Sequence, residues 1–181
     1  MKIRDITFIE YVSLDLDSKI VYDYYLEYGK HKAVDHFGIG AFVDASFGFV
    51  KDLQYYFNST QEGFTWDDFF KEMSIFTGRG VHDLQHMSIF TLMEVVKYIT
   101  DQVSIINNME ANYLGYAPDA NEVRAGIDKF SEYGGFVQFD SLAQGDLLRY
   151  DAIKKLPYSI CFTKLKLEVD RSTYQKNLNV K

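Results

Sequence analysis

One cysteine, two prolines and one tryptophan are spread over 181 residues. Cys161 alone cannot close an internal disulfide, so the chain does not read as a disulfide-stapled secreted scaffold. Between Ile160 and Phe162 its thiol sits in an apolar setting that suits an inert side chain better than a nucleophile. Long apolar runs are also missing. The most apolar stretch outside the main helical pattern, Phe37 to Val50, contains Asp44 and falls short of the ~20 residues of a membrane span. The charged start, Met1-Lys2-Ile3-Arg4-Asp5, leads into no apolar h-region, so no signal peptide is expected. Positive charge is scarce: 19 Lys and Arg against 26 Asp and Glu leave a net −7. That balance argues against an autonomous nucleic-acid binder. No membrane and no direct nucleic-acid contact are expected.

Catalytic motifs are equally sparse. Gly38 and Gly40 invite a phosphate-loop reading, but Val43 stands where a dinucleotide fingerprint needs glycine, and no Gly-Lys-Ser/Thr follows. Gly78-Arg79-Gly80 fails the same test and reads as a turn between helices. No Gly-x-Ser-x-Gly elbow occurs. The carboxylates Asp15, Asp17, Asp67, Asp68, Asp140 and Asp146 read as helix caps or solvated groups.

What is present is a helical pattern. From Val81 to Leu114, Ile89, Leu92, Met93, Val96, Ile99, Val103 and Ile106 recur at three- and four-residue steps, which is one face of an α-helix. Glu94, Lys97, Asp101, Ser104 and Asn108 fall opposite. A helix of that length would run to roughly 50 Å, with Asn107-Asn108 as the place for a break. Shorter helices should pack around it.

Upstream, residues 3–14 are β-branched and aromatic with partial alternation, which predicts a short N-terminal strand or extended arm. Asp15, Asp17 and Ser18 are N-cap candidates for a short helix ending at Gly29. Its tyrosines, Tyr22, Tyr24, Tyr25 and Tyr28, go round much of the cylinder, so this helix either sits deep in the fold or turns some of them toward a partner. A second helix over 41–58 buries Val43, Phe47, Val50, Leu53 and Phe57, and Ala41, Ala45 and Gly48 leave a side that another backbone can approach. Thr65 caps a third helix, which carries Trp66, Phe69, Phe70, Met73 and Phe76 and ends at Gly78. Asp119 and Glu122 stand at capping-box spacing before a helix with Val123, Ile127 and Phe130, closed by Gly134-Gly135. A short segment at Phe139–Ala143 and a helical turn near Asp146–Lys155 follow. Lys164 to Asp170 alternates like a strand, yet Tyr158, Phe162, Leu165 and Val169 keep helical steps behind Pro157, and helix is the reading preferred. No internal repeat, low-complexity tract or linker is visible, which predicts a single domain over residues 1–181.

The best candidate for chemistry is His82-x-x-x-His86, whose spacing puts two imidazoles on one helical face. The glutamate of a metalloprotease helix is absent between them, and no third ligand can be named; His31, His36, Asp35 and Glu94 are the options. A metal-dependent enzyme built on this pair is the alternative reading, and an intracellular adaptor a further one. No catalytic, cofactor-binding or metal-binding residue is assigned.

One resemblance points further. Phe139 to Leu178 resembles the C-terminal part of small tail-region structural and assembly proteins of tailed bacteriophages. It is carried by a Leu-Ala-x-Gly-Asp turn (Leu142, Ala143, Gly145, Asp146), a Leu-Pro-Tyr start to a last helix (Leu156, Pro157, Tyr158) and a charged end with Tyr174 and Gln175. Trp66-Asp67-Asp68-Phe69-Phe70 fits more loosely. The resemblance implies a helical, non-enzymatic protein without cofactors. It would be a virion or tail component or a tail-assembly chaperone, located in the host cytoplasm during assembly or in the virion. Its partners would be other phage structural or tail-assembly proteins, or further copies of itself. The fold expected is mainly α, a helical bundle around one long helix.

Overall fold

The computed structural model describes residues 5–20, 23, 41–58, 65–115, 118 and 120–179. The fold is mainly α. Among the described residues there is no strand, only two isolated antiparallel bridges. The chain divides into two compact units: Met1–Ile39 with Tyr56–Gln102, and Gly40–Tyr55 with Val103–Lys181.

In the first unit, α1 (Phe8–Val12) starts at a capping box. The Thr7 hydroxyl accepts from the Glu10 amide at 3.2 Å, and the Glu10 carboxylate accepts from the Thr7 amide at 2.8 Å. α2 covers residues 16–20, with the Asp15 carboxylate accepting from the Ser18 amide at 2.9 Å. α4 (Trp66–Thr77) is capped by Thr65 and closed by Gly78, whose φ of +67° only glycine adopts without strain. α5 (Val81–Gln85) follows, then α6 (Ile89–Tyr113), the longest helix. A backbone clasp joins the start of α1 to the start of α6. The Phe8 amide donates to Met87 O at 3.1 Å and the Ile89 amide to Ile6 O at 2.7 Å, around the Thr7–Ser88 bridge. The Phe8 ring then meets Phe70 edge-on, with centroids 5.0 Å apart.

The second unit makes the same clasp again. The Phe47 amide, opening α3 (Phe47–Asn58), donates to Leu156 O at 2.7 Å. The Tyr158 amide, opening α10 (Tyr158–Asn179), donates to Ala45 O at 2.8 Å, around a Ser46–Pro157 bridge. The Phe47 ring meets Phe139 edge-on at 4.9 Å. Between these come α7 (Ala120–Ala125), a 3₁₀ helix at Ile127–Tyr133, α8 (Phe136–Ala143), a 3₁₀ turn at Leu147–Arg149 and α9 (Tyr150–Lys154). α8 packs on α9 and α10. The small-residue side of α3 is used as its sequence suggests. A Cβ on Gly48 would stand 3.0 Å from Lys154 Cβ and 3.2 Å from Lys154 O, so only glycine lets α9 come this close.

Several expectations need correction. Residues 8–12 are helical, not a strand, because the Thr7–Glu10 capping box satisfies the amides that a strand would have to pair. The long helical pattern breaks at residues 86–88 and runs unbroken through Asn107-Asn108. Ser88 must be extended to bridge Thr7, and its hydroxyl then accepts from the Thr91 amide at 3.5 Å to restart the helix. The buried row of α6 is Ile89, Leu92, Val95, Ile99, Val103 and Ile106, with Val96 and Met93 only half-buried beside it. The helix expected through Val123 and Phe130 is cut by Gly126 at φ +87°, and both side chains are exposed. α10 is helical throughout, as preferred over the strand reading. The tyrosines at 22–28, His31, Asp35, His36, Gly38, Gly40 and Asp119 lie outside the described residues.

Candidate functional site

The least ordinary chemistry is a buried polar cluster in the second unit. Lys51 on α3 is 9% exposed and its ammonium meets the Glu110 carboxylate of α6 at 2.6 and 2.8 Å. Glu110 also accepts from Gln54 Nε2 at 3.2 Å and from the Tyr158 hydroxyl at 2.6 Å. Gln54 Nε2 donates to Asn107 Oδ1 at 2.7 Å. Three helices, α3, α6 and α10, therefore converge on one carboxylate. Burial pushes the Lys51 ammonium below its ordinary pKa, against the pull of Glu110. Burial, then the hydrogen bond to Glu110, holds the Tyr158 phenol protonated far above its ordinary 10.0. An ion pair taken out of water contributes little net stability but makes loss of either partner costly. No sequence signal pointed to it: Lys51 and Glu110 are 59 residues apart.

A separate cleft of about 560 Å³ in the same unit is lined by the end of α6, α8 and α10. Its lining includes the apolar Val137, Leu165 and Val169 and the polar Gln138, Ser141 and Glu168. Ser141 Oγ donates to Glu168 at 2.5 Å, and Gln138 Oε1 is buried without a hydrogen-bond partner. None of Lys51, Gln54, Glu110 or Tyr158 lines this cleft. The two features are thus not parts of one reactive site.

The histidine pair is in place but open to solvent. The rings of His82 and His86 stack with centroids 4.0 Å apart, and His86 Nδ1 lies 2.8 Å from His82 O, which makes that nitrogen the protonated donor. Among the described residues no three His, Cys, Asp or Glu side chains gather as a metal could require. Cys161 is buried and burial raises its pKa, which suits an unreactive thiol. The carboxylates act singly. Asp15 and Asp146 cap helical turns, Asp68 accepts from the Thr65 hydroxyl at 2.6 Å, and Asp140 accepts from the Tyr150 hydroxyl at 2.9 Å.

Apolar surface is the remaining feature. α8 touches both the 3₁₀ helix at Ile127–Tyr133 and the 3₁₀ turn at Leu147–Arg149. They expose Phe130, Tyr133, Phe136 and Leu147, and Leu148 is 92% exposed. The Leu142–Asp146 turn displays these leucines: Gln144 and Gly145 take positive φ, and the Asp146 carboxylate accepts from the Leu148 amide at 3.0 Å. No described helix is long and apolar enough to cross a membrane. No protein family, no curated protein and no solved structure was found to match the chain.

Proposed function

We propose that this chain is a structural or assembly protein of a tailed bacteriophage, a virion or tail component or a tail-assembly chaperone. In this reading it works through protein–protein contacts and performs no catalysis. The observation that carries the contact-based reading is the exposed apolar group of Phe130, Tyr133, Phe136, Leu147 and Leu148 on adjoining elements. Large aromatic and aliphatic side chains left in water are what interface cores are made of. The phage assignment rests on the resemblance at Phe139–Leu178, whose turn holds Leu147 and Leu148 outward. The occupant of this surface is another phage structural protein.

The test is co-expression with the products of neighbouring structural genes, followed by size-exclusion chromatography with light scattering. A stable complex is expected with one of them. Leu147→Ser with Leu148→Ser should dissolve it while the melting temperature of the isolated chain barely moves. A coding sequence with no phage structural genes around it, or a complex indifferent to the double change, counts against the reading.

A further inference from the structure

α10 is apolar on two faces. One is buried, through Tyr158, Cys161 and Leu165. The other faces water: Ile160, Leu167 and Tyr174 recur every seven residues, and Lys164, Arg171 and Leu178 stand four residues after each. On a helix of 3.6 residues per turn these six form one nearly straight row, the four-three spacing of a coiled-coil seam. Ile160, Leu167, Tyr174 and Leu178 are all exposed. From Asp170 to Leu178 every side chain is exposed, so the last turns gain little from packing. The Lys176–Glu122 ion pair at 2.9 Å is one tie there. Helical turns without tertiary cover are marginal in water.

We propose that this row is a docking seam for an amphipathic helix of a different protein, one with Asp or Glu at the seam positions that face Lys164 and Arg171. The charges decide against a second copy of this chain. In a parallel self-pair Lys164 would face Lys164 and Arg171 would face Arg171. In an antiparallel one, each cation would press on Leu167 or Tyr174, and the carboxylates flanking the seam, Glu168 and Asp170, are already taken by Lys164 and Lys166 of their own helix. Charged seam residues set partner choice in this way. The present partner of Lys164 is Glu168, one turn on at 2.9 Å, a half-exposed pair of the kind that contributes little to stability. A partner carboxylate can therefore replace it at little cost. The proposal extends the assembly reading and rests on it for its biological setting alone.

Two labelled synthetic helical peptides of about three heptads test it, each with Leu at one seam position and either Glu or Lys at the other. The full chain is titrated against each by fluorescence anisotropy. The Glu peptide should saturate and be preferred at least ~10-fold, a gap of ~1.4 kcal/mol. Lys164→Glu with Arg171→Glu should reverse the preference, and Leu167→Asp should abolish binding of both peptides. Circular dichroism checks that each variant stays folded; these side chains point away from the core. Equal binding, no binding, or an unreversed preference overturns the proposal. So does a dimer of the chain alone that Leu167→Asp dissolves, which would give the seam to a second copy. If the Glu peptide binds but no phage structural genes surround the coding sequence, the seam stands and the phage reading falls. If the neighbouring-gene complex forms and neither peptide binds, the seam alone falls.

Discussion

The two units close with the same backbone clasp but fill it differently. Phe8 matches Phe47, Phe70 matches Phe139, Leu84 matches Ile153 and Ile89 matches Tyr158. All four pairs also stand at the same spacing from their clasp. The bridging residues themselves differ, Thr7 with Ser88 against Ser46 with Pro157. Main-chain N–H and C=O groups make the clasp, so it places few demands on side chains. The rings behind it do carry identity, since a buried Phe fills a shape that few residues can. At the start of the long helix the units part company. Ile89 is purely apolar, whereas Tyr158 brings a hydroxyl into the core and needs Glu110 to receive it. Charge differs as well. The first unit carries 8 Lys and Arg against 14 Asp and Glu, the second 11 against 12. The lesson is that one backbone solution tolerates either an apolar or a polar core, provided that the buried charges are paired; Gln54 Oε1 beside them is buried without a hydrogen-bond partner.

The largest test of that contrast removes the answer. Glu110→Ala strands the Lys51 ammonium in the core and should cost ~3–5 kcal/mol in denaturant unfolding. Replacing the ion pair together with the hydroxyl that it receives, Lys51→Met, Glu110→Leu and Tyr158→Phe, should recover most of the loss and make the second unit resemble the first. In the first unit, Ile89→Val should cost only ~0.5–1.5 kcal/mol. A Glu110→Ala penalty below ~1 kcal/mol would mean that the cluster is not what distinguishes the units.

A middle-sized effect concerns matched positions on α3 and α1. Gly48 stands against Lys154, whereas Ile9 at the corresponding place in the first unit is exposed. Gly48→Ala should destabilise by ~1–3 kcal/mol through overpacking, and Ile9→Ala should stay within ~0.5 kcal/mol. Thermal melts of the two variants decide this, and equal shifts would show that the close approach of α9 is not rigid.

The smallest effect is a pH dependence. Tyr158 has a folded-state pKa raised above 10.0, so its contribution is complete below pH 10.0 and is lost as the pH rises beyond it. Tyr11 in the first unit, pushed up to about 12 by burial and by its hydrogen bond to Asp23, loses its share between 10.0 and about 12. Tyr158→Phe should cost ~1 kcal/mol at neutral pH and flatten the fall in stability above pH 10.0. Tyr11→Phe should remove only the part ending near 12. An alkaline unfolding curve unchanged by either substitution would refute the assignment.

The sequence by itself determined whatever is encoded within a few residues. The mainly α fold, the Thr65 and Gly78 limits of α4, the helix that follows Pro157 and most of the buried row of α6 were legible, because a cap or a helical face is a matter of spacing. The apolar setting of Cys161 and the apolar stripe Phe47, Val50 and Leu53 were legible for the same reason. Tertiary structure alone decided the break at residues 86–88 and the doubled clasp, whose main-chain bonds leave no mark on residue type, whereas the helix at Phe8–Val12 had a local signal in Thr7 and Glu10 at capping-box spacing. It alone brought Lys51, Glu110 and Tyr158 together. A buried ion pair depends on which helices come to lie side by side, and each of its members, read alone along the chain, is an ordinary polar residue.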